Sequence, residues 1–102
     1  MSKREIKQLR EYFSYDPVNG ILTWKKRTHF NSRLGPGDVA GGKHPSGGYK
    51  VKFRGKMYWV HRVAFALTYD RWPVGVDHIN MDRNDNRIKN LREATHQQNF
   101  LF

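Results

Sequence analysis

A chain of 102 residues with 37% hydrophobic content builds one modest core, which excludes a multidomain enzyme. The chain has no cysteine, so disulfides, thiolate zinc sites, iron–sulfur clusters and cysteine nucleophiles are excluded, and His, Asp, Glu and Asn remain as side chains for a metal. Nineteen Lys and Arg against nine Asp and Glu give +10, with thirteen of those cations and only four of the anions in residues 1–60; a folded basic surface of this kind meets a polyanion.

Nucleic acid is the expected partner. A membrane is disfavoured because no basic amphipathic helix carries a broad apolar face, and no protein partner is evident. No apolar run approaches the ~20 residues of a membrane span, and the start does not read as a signal peptide. With a mean hydropathy of -0.86, the expectation is a soluble, cytoplasmic protein that is not secreted.

In chain order, residues 3–13 place Ile6, Leu9, Tyr12 and Phe13 at helical spacing behind a capping Ser2, which predicts a short amphipathic helix. Asp16-Pro17-Val18-Asn19-Gly20 has the residues of a turn, and a strand from Ile21 to Lys26 follows it. Residues 27–48 hold six glycines and read as a long surface loop with at most one short strand, packing only around Val39 and Ala40. From Tyr49 to Val60 apolar Tyr49, Val51 and Phe53 alternate with Lys50, Lys52 and Arg54, and Gly55 supplies a turn. This is a hairpin with one apolar and one basic face, and Lys50, Lys52 and Arg54 are candidate phosphate contacts. Val63, Ala66 and Leu67 predict a helix over 61–70 that ends before Trp72-Pro73.

The stretch Val76 to Asn99 carries the chemistry. An apolar lead reaches Asp77-His78, a loop rich in Asp, Asn and Arg follows, a second strand begins at Asn90-Leu91-Arg92, and Thr95 caps a helix containing Asn99. A strand–loop–strand–helix order brings the end of the first strand beside the first turns of the helix. Asp77 and Asn99 can then offer two oxygens to one hard divalent cation such as Mg²⁺, which keeps several waters and takes few protein ligands. His78, on the opposite face of an extended strand, can take a proton from water.

These residues resemble the HNH (ββα-metal) nucleases, in the His-Asn-Asn variant of phage-encoded and intron-homing endonucleases. The resemblance rests on Asp77-His78, Asn90 and Asn99 at family spacing, on Arg87 and the Asn90-Leu91 step, and on the lead-in from His61-Arg62 to Trp72-Pro73. It spans roughly residues 12 to 99.

The resemblance implies an α+β fold, a small antiparallel hairpin region followed by a ββα-metal unit, in one domain over 1–102. In that reading a basic DNA-gripping part (1–60) precedes the catalytic part (61–102). It also implies phosphodiester hydrolysis in DNA, of the nicking or homing type, with one divalent cation, Mg²⁺ before Mn²⁺. His78 is then the general base, Asp77 and Asn99 the metal ligands, and Asn90 the brace of the loop that also orients the histidine; Arg87 joins the DNA contacts. Without the cysteine pairs that carry a structural zinc in some members, the unit is expected to rest on Val76, Ile79, Ile88, Leu91 and Ala94. The alternative is a non-catalytic basic DNA-binding protein with a degenerate HNH unit, because a helix from Thr95 to Phe102 is barely two turns.

Overall fold

The computed structural model describes residues 1–30 and 32–94. The expected helix from Thr95, with Asn99, lies outside them.

Helix α1 (Lys3–Tyr12) starts on a capping box: Ser2 Oγ accepts from the Glu5 amide at 3.2 Å and the Glu5 carboxylate accepts from the Ser2 amide at 3.2 Å. This satisfies two backbone donors that the first turn leaves open. Ile6 and Leu9 face the core. Phe13 does not continue the helix: it opens strand β1 (Phe13–Asp16), which pairs antiparallel with β2 (Ile21–Trp24) from Phe13↔Trp24 to Asp16↔Ile21. Strand β1 was not expected, and β2 stops two residues earlier than its sequence suggests, where the Trp24 ring has reached the core and Lys25 is exposed. Between the strands the Asp16 carboxylate accepts from the Val18 and Asn19 amides at 3.0 and 3.2 Å, an Asx turn that closes on Gly20 at φ +71°.

Strands β3 (Gly42–Lys43), β4 (Tyr49–Phe53) and β5 (Lys56–Trp59) form a second antiparallel sheet in that order. The β4–β5 turn is Arg54-Gly55 at φ +52° and +81°, two left-handed residues whose twist matches the hairpin. Val51 and Phe53 are buried and Lys52 is exposed, as the alternation requires. In the preceding loop Ala40 is buried but Val39 is 60% exposed, because the bridge Thr23↔Val39 turns only the smaller side chain inward.

Helix α2 (Val60–Tyr69) follows β5 without a break and buries Val60, Val63, Ala64, Phe65 and Ala66. Its C-cap Asp70 is left-handed at φ +60°, so the helix ends before Trp72-Pro73. The core unites α1, β1, β2, β4 and α2 through Leu9, Phe13, Leu22, Trp24, Val51, Phe53, Val60 and Val63. Residues on both sides of position 60 therefore share one apolar interior.

The last pair is β6 (Val76–His78) with β7 (Leu91–Glu93), register Val76↔Glu93 to His78↔Leu91. The expected strand starts one residue late, since Asn90 closes a 3₁₀ turn (Ile88–Asn90). Of the residues expected to hold this unit, Leu91 and Ala94 are buried, whereas Ile79 is 53% exposed. An Arg71 fork on Glu93, at 2.7 and 2.6 Å, ties the segment before β6 to β7. The whole is an α+β fold of two helices and three small antiparallel sheets over the described residues.

Candidate active site

Asp77 and His78 end β6 and line one cavity of 540 Å³ together with Gly47, Gly48, Trp59, His61, Met81 and Arg83. Neighbours in a strand point to opposite faces, but at the strand's end both reach this cavity. Asp77 is half-buried and pairs through Oδ2 with Arg92 of β7 at 3.1 Å, across the register Asp77↔Arg92. His78 is buried, and its Nε2 lies 2.9 Å from Asn86 Oδ1. With the amide oxygen accepting, Nε2–H donates and the imidazole lone pair sits on Nδ1.

Asn90 braces the loop. Its Oδ1 accepts from the Asn80 amide at 3.0 Å, and its Nδ2 donates to Asn80 Oδ1 and to the Asp85 carbonyl, both at 2.9 Å. The hydrogen bond that orients His78 comes instead from Asn86, which the sequence did not single out. Other polar residues of the loop serve its shape: Asn80 and Asp82 accept from the amides two residues on, each at 2.9 Å. Arg87 forks onto Asp85 at 2.8 and 2.6 Å, so its guanidinium is engaged within the loop. That pair holds the Asp85 carboxyl well below the usual range and raises Arg87.

The loop is seated on the β1–β2 turn. Tyr15 donates to the Asn86 carbonyl and the Ile88 amide donates to the Pro17 carbonyl at 3.0 Å. Gly20 lies so close that a Cβ would stand 2.4 Å from the Arg87 nitrogen and 2.5 Å from the Asn86 carbonyl carbon. Burial pushes the Tyr15 phenol up, with Asp16 and Asp85 adding to it, so it stays a donor.

The opposite wall is aromatic. His61, second residue of α2, stacks on Trp59 with centroids 5.6 Å apart and meets His78 edge to face at 4.7 Å. Burial first, then like charge from His78, Arg62 and Arg83, pushes His61 down to about 3, so it is a neutral wall, and its buried Nδ1 has no hydrogen-bond partner among the described residues. The β3–β4 loop closes the rim: Gly48 donates to Asn84 Oδ1 at 3.2 Å, and Arg83 donates to the Ser46 carbonyl at 3.1 Å.

Lys50 reaches this edge, its ammonium 4.5 Å from the Trp59 ring centroid. Lys52 and Arg54 lie further along the hairpin, about 7 and 14 Å from Lys50 at strand rise, and line a second cleft with Tyr12, Trp24 and His29. The basic row thus runs away from the cavity rather than around it.

Asp77 suits a hard cation, since Arg92 takes Oδ2 and Oδ1 is left on the half-buried carboxylate. Among the described residues no group of three or more His, Asp or Glu is arranged for a metal, and Asn99 lies outside them. Nor is any described helix long and apolar enough to cross a membrane.

A buried, oriented histidine beside a carboxylate thus stands at the end of a strand–loop–strand unit. The family model described as HNH endonuclease matches residues 58–101, somewhat less than half of the chain. Among solved structures, the chain is similar to one titled "DNA binding and cleavage by the HNH homing endonuclease I-HmuI", at 21% identity and TM-score 0.63 over 94% of this chain and 53% of the other. The likeness is one of fold, and the present chain spans about half of that chain's length. No curated protein matches the sequence. Tyr15, Pro17 and Gly20, which seat the loop after His78, lie outside the family match.

Proposed function

We propose that the protein is a DNA endonuclease that hydrolyses phosphodiester bonds with the aid of one divalent cation, in the nicking or homing mode. The observation that carries this reading is the His78–Asn86 hydrogen bond at 2.9 Å beside Asp77 in the shared cavity. His78 takes a proton from water through Nδ1 as the water oxygen attacks phosphorus; the P–O3′ bond breaks, and the departing 3′ oxygen is protonated from solvent. Asn86 holds the imidazole in the tautomer this requires.

Asp77, with Asn99, would hold the cation, Mg²⁺ before Mn²⁺, and the bound ion would stabilise charge developing on the phosphate and on the departing oxygen. Lys50, Lys52 and Arg54 neutralise phosphates along the duplex. Arg87 contributes chiefly by stiffening the loop, a role its fork on Asp85 supports.

A supercoiled-plasmid assay with Mg²⁺, Mn²⁺ or EDTA tests the proposal. The expected result is open circles with metal only, from the wild type and not from His78→Ala or Asn99→Ala, while His78→Ala still binds DNA. Retained binding without cleavage by the wild type would instead make the chain a basic DNA-binding protein.

A further inference from the structure

A left-handed backbone crowds any side chain that has a Cβ, and among residues other than glycine it is favoured mainly by Asn and Asp. Among the described residues, three other than glycine take it: Arg54, Asp70 and Met81. Arg54 makes the hairpin turn and Asp70 caps α2. Met81, at φ +66°, closes the turn after His78, yet its side chain has none of the Asn or Asp chemistry that favours this conformation. Nor does burial explain it, because the side chain is 88% exposed.

Met81 nevertheless stands on the wall of the cavity that holds Asp77 and His78. Ile79, the first residue after the histidine, is 53% exposed on the same loop. The loop is stiff at this point: the Ile79 amide donates to the Asn90 carbonyl at 2.8 Å, the Met81 amide to the His78 carbonyl at 2.9 Å, and Asn80 is clasped by Asn90. Two apolar side chains are therefore held out in water, one of them at an energetic cost to its backbone and on the cavity wall with the proposed base and cationic Arg83.

A phosphate backbone offers such side chains nothing. The interior of a base stack does, and Met, Ile, Leu and Phe wedges are the side chains that open base steps from the minor groove. Resting on the nuclease reading above, we infer that Met81, backed by Ile79, is an apolar wedge that enters the stack beside the phosphate presented to His78. The wedge unstacks that step and turns the scissile phosphate toward the cavity. Pyrimidine–purine steps open most easily, so the wedge confers a preference for them without a base-specific hydrogen bond.

The test separates the wedge from the chemistry. Duplex DNA with 2-aminopurine at alternate adenines is bound by His78→Ala in EDTA, where nothing is cut; the expected result is a rise in 2-aminopurine fluorescence on binding. Adding Met81→Gly should abolish the rise and leave the fold intact, because glycine relieves the left-handed residue; Met81→Leu should restore it. In the otherwise wild-type chain, Met81→Gly should slow nicking of paired DNA on the order of 10-fold and leave a duplex with a mismatched step nearly unaffected. An equal rise with Met81→Gly, or no rise with Met81, overturns the wedge even if plasmid is nicked. A Met81-dependent rise with no nicking by the wild type upholds the wedge and refutes the nuclease; no DNA binding refutes both.

Discussion

At the scale of single residues, Asn86 and His61 enclose His78 from two sides and do different work. Asn86 meets the Nε2 edge of the ring at 2.9 Å, and under the proposed function replacing it should change chemistry more than binding. Asn86→Leu should lower kcat on the order of 100-fold with KM little changed, the size of a general-base contribution, while Asn86→Asp, which keeps an acceptor at the same place, should recover most of it. Nitrogen-15 shifts of the His78 ring check the tautomer directly. His61 acts through stability. Its folded form resists protonation down to about pH 3, whereas in the unfolded chain a histidine takes up a proton near 6.5. The unfolded state then binds more protons as pH falls below 6.5, and stability present at neutral pH is lost in that direction. Thermal unfolding should show the midpoint falling between pH 7 and 5, above the carboxylate range, and His61→Phe should flatten that part of the curve.

Among the elements, the β1–β2 hairpin and the catalytic loop form one fitted joint. Gly20→Ala places a methyl 2.4 Å from the Arg87 backbone nitrogen at φ +71°, so roughly 1–3 kcal/mol of stability should be lost. At temperatures where the variant stays folded, kcat should fall more than DNA affinity, a split that steady-state kinetics and filter binding measure. Much of this scale could be read from periodicity: α1, the basic hairpin and α2 all announce themselves by spacing. Strand β1 does not, because Phe13 continues the helical series of Ile6 and Leu9, and only pairing with Trp24 makes it extended. At the site, Asp77, His78 and Asn90 stand out by their spacing, whereas Asn86 is one of four asparagines between residues 80 and 90. Only the fold selects the one that reaches the histidine ring. Ile79 misleads for a related reason: its apolarity suggests core, and its position after His78 turns it to solvent.

For the whole molecule, the uneven charge becomes a geometric axis. The cationic row begins at the cavity's edge with Lys50 and extends along the hairpin to Arg54, so the proposed function assigns binding strength and cleavage to different stretches of surface. DNA affinity should fall steeply with salt, and Lys50→Gln and Lys52→Gln should each reduce the slope of log K against log salt by about 0.9 if each neutralises one phosphate. Titrations at several ionic strengths measure this, and Lys52→Gln should leave the rate at saturating DNA unchanged.

The seating of the β6–β7 loop on Gly20 bears on how this fold can be inherited. Residues 58–101 are the part that the family model recognises, yet the hydroxyl of Tyr15, the carbonyl of Pro17 and the vacant side of Gly20 that hold Asn86 in place are encoded some forty residues upstream. A recombination that moved the recognisable segment alone onto another basic scaffold would transfer the histidine without its socket. The unit that folds around the histidine is therefore wider than the segment the family model matches.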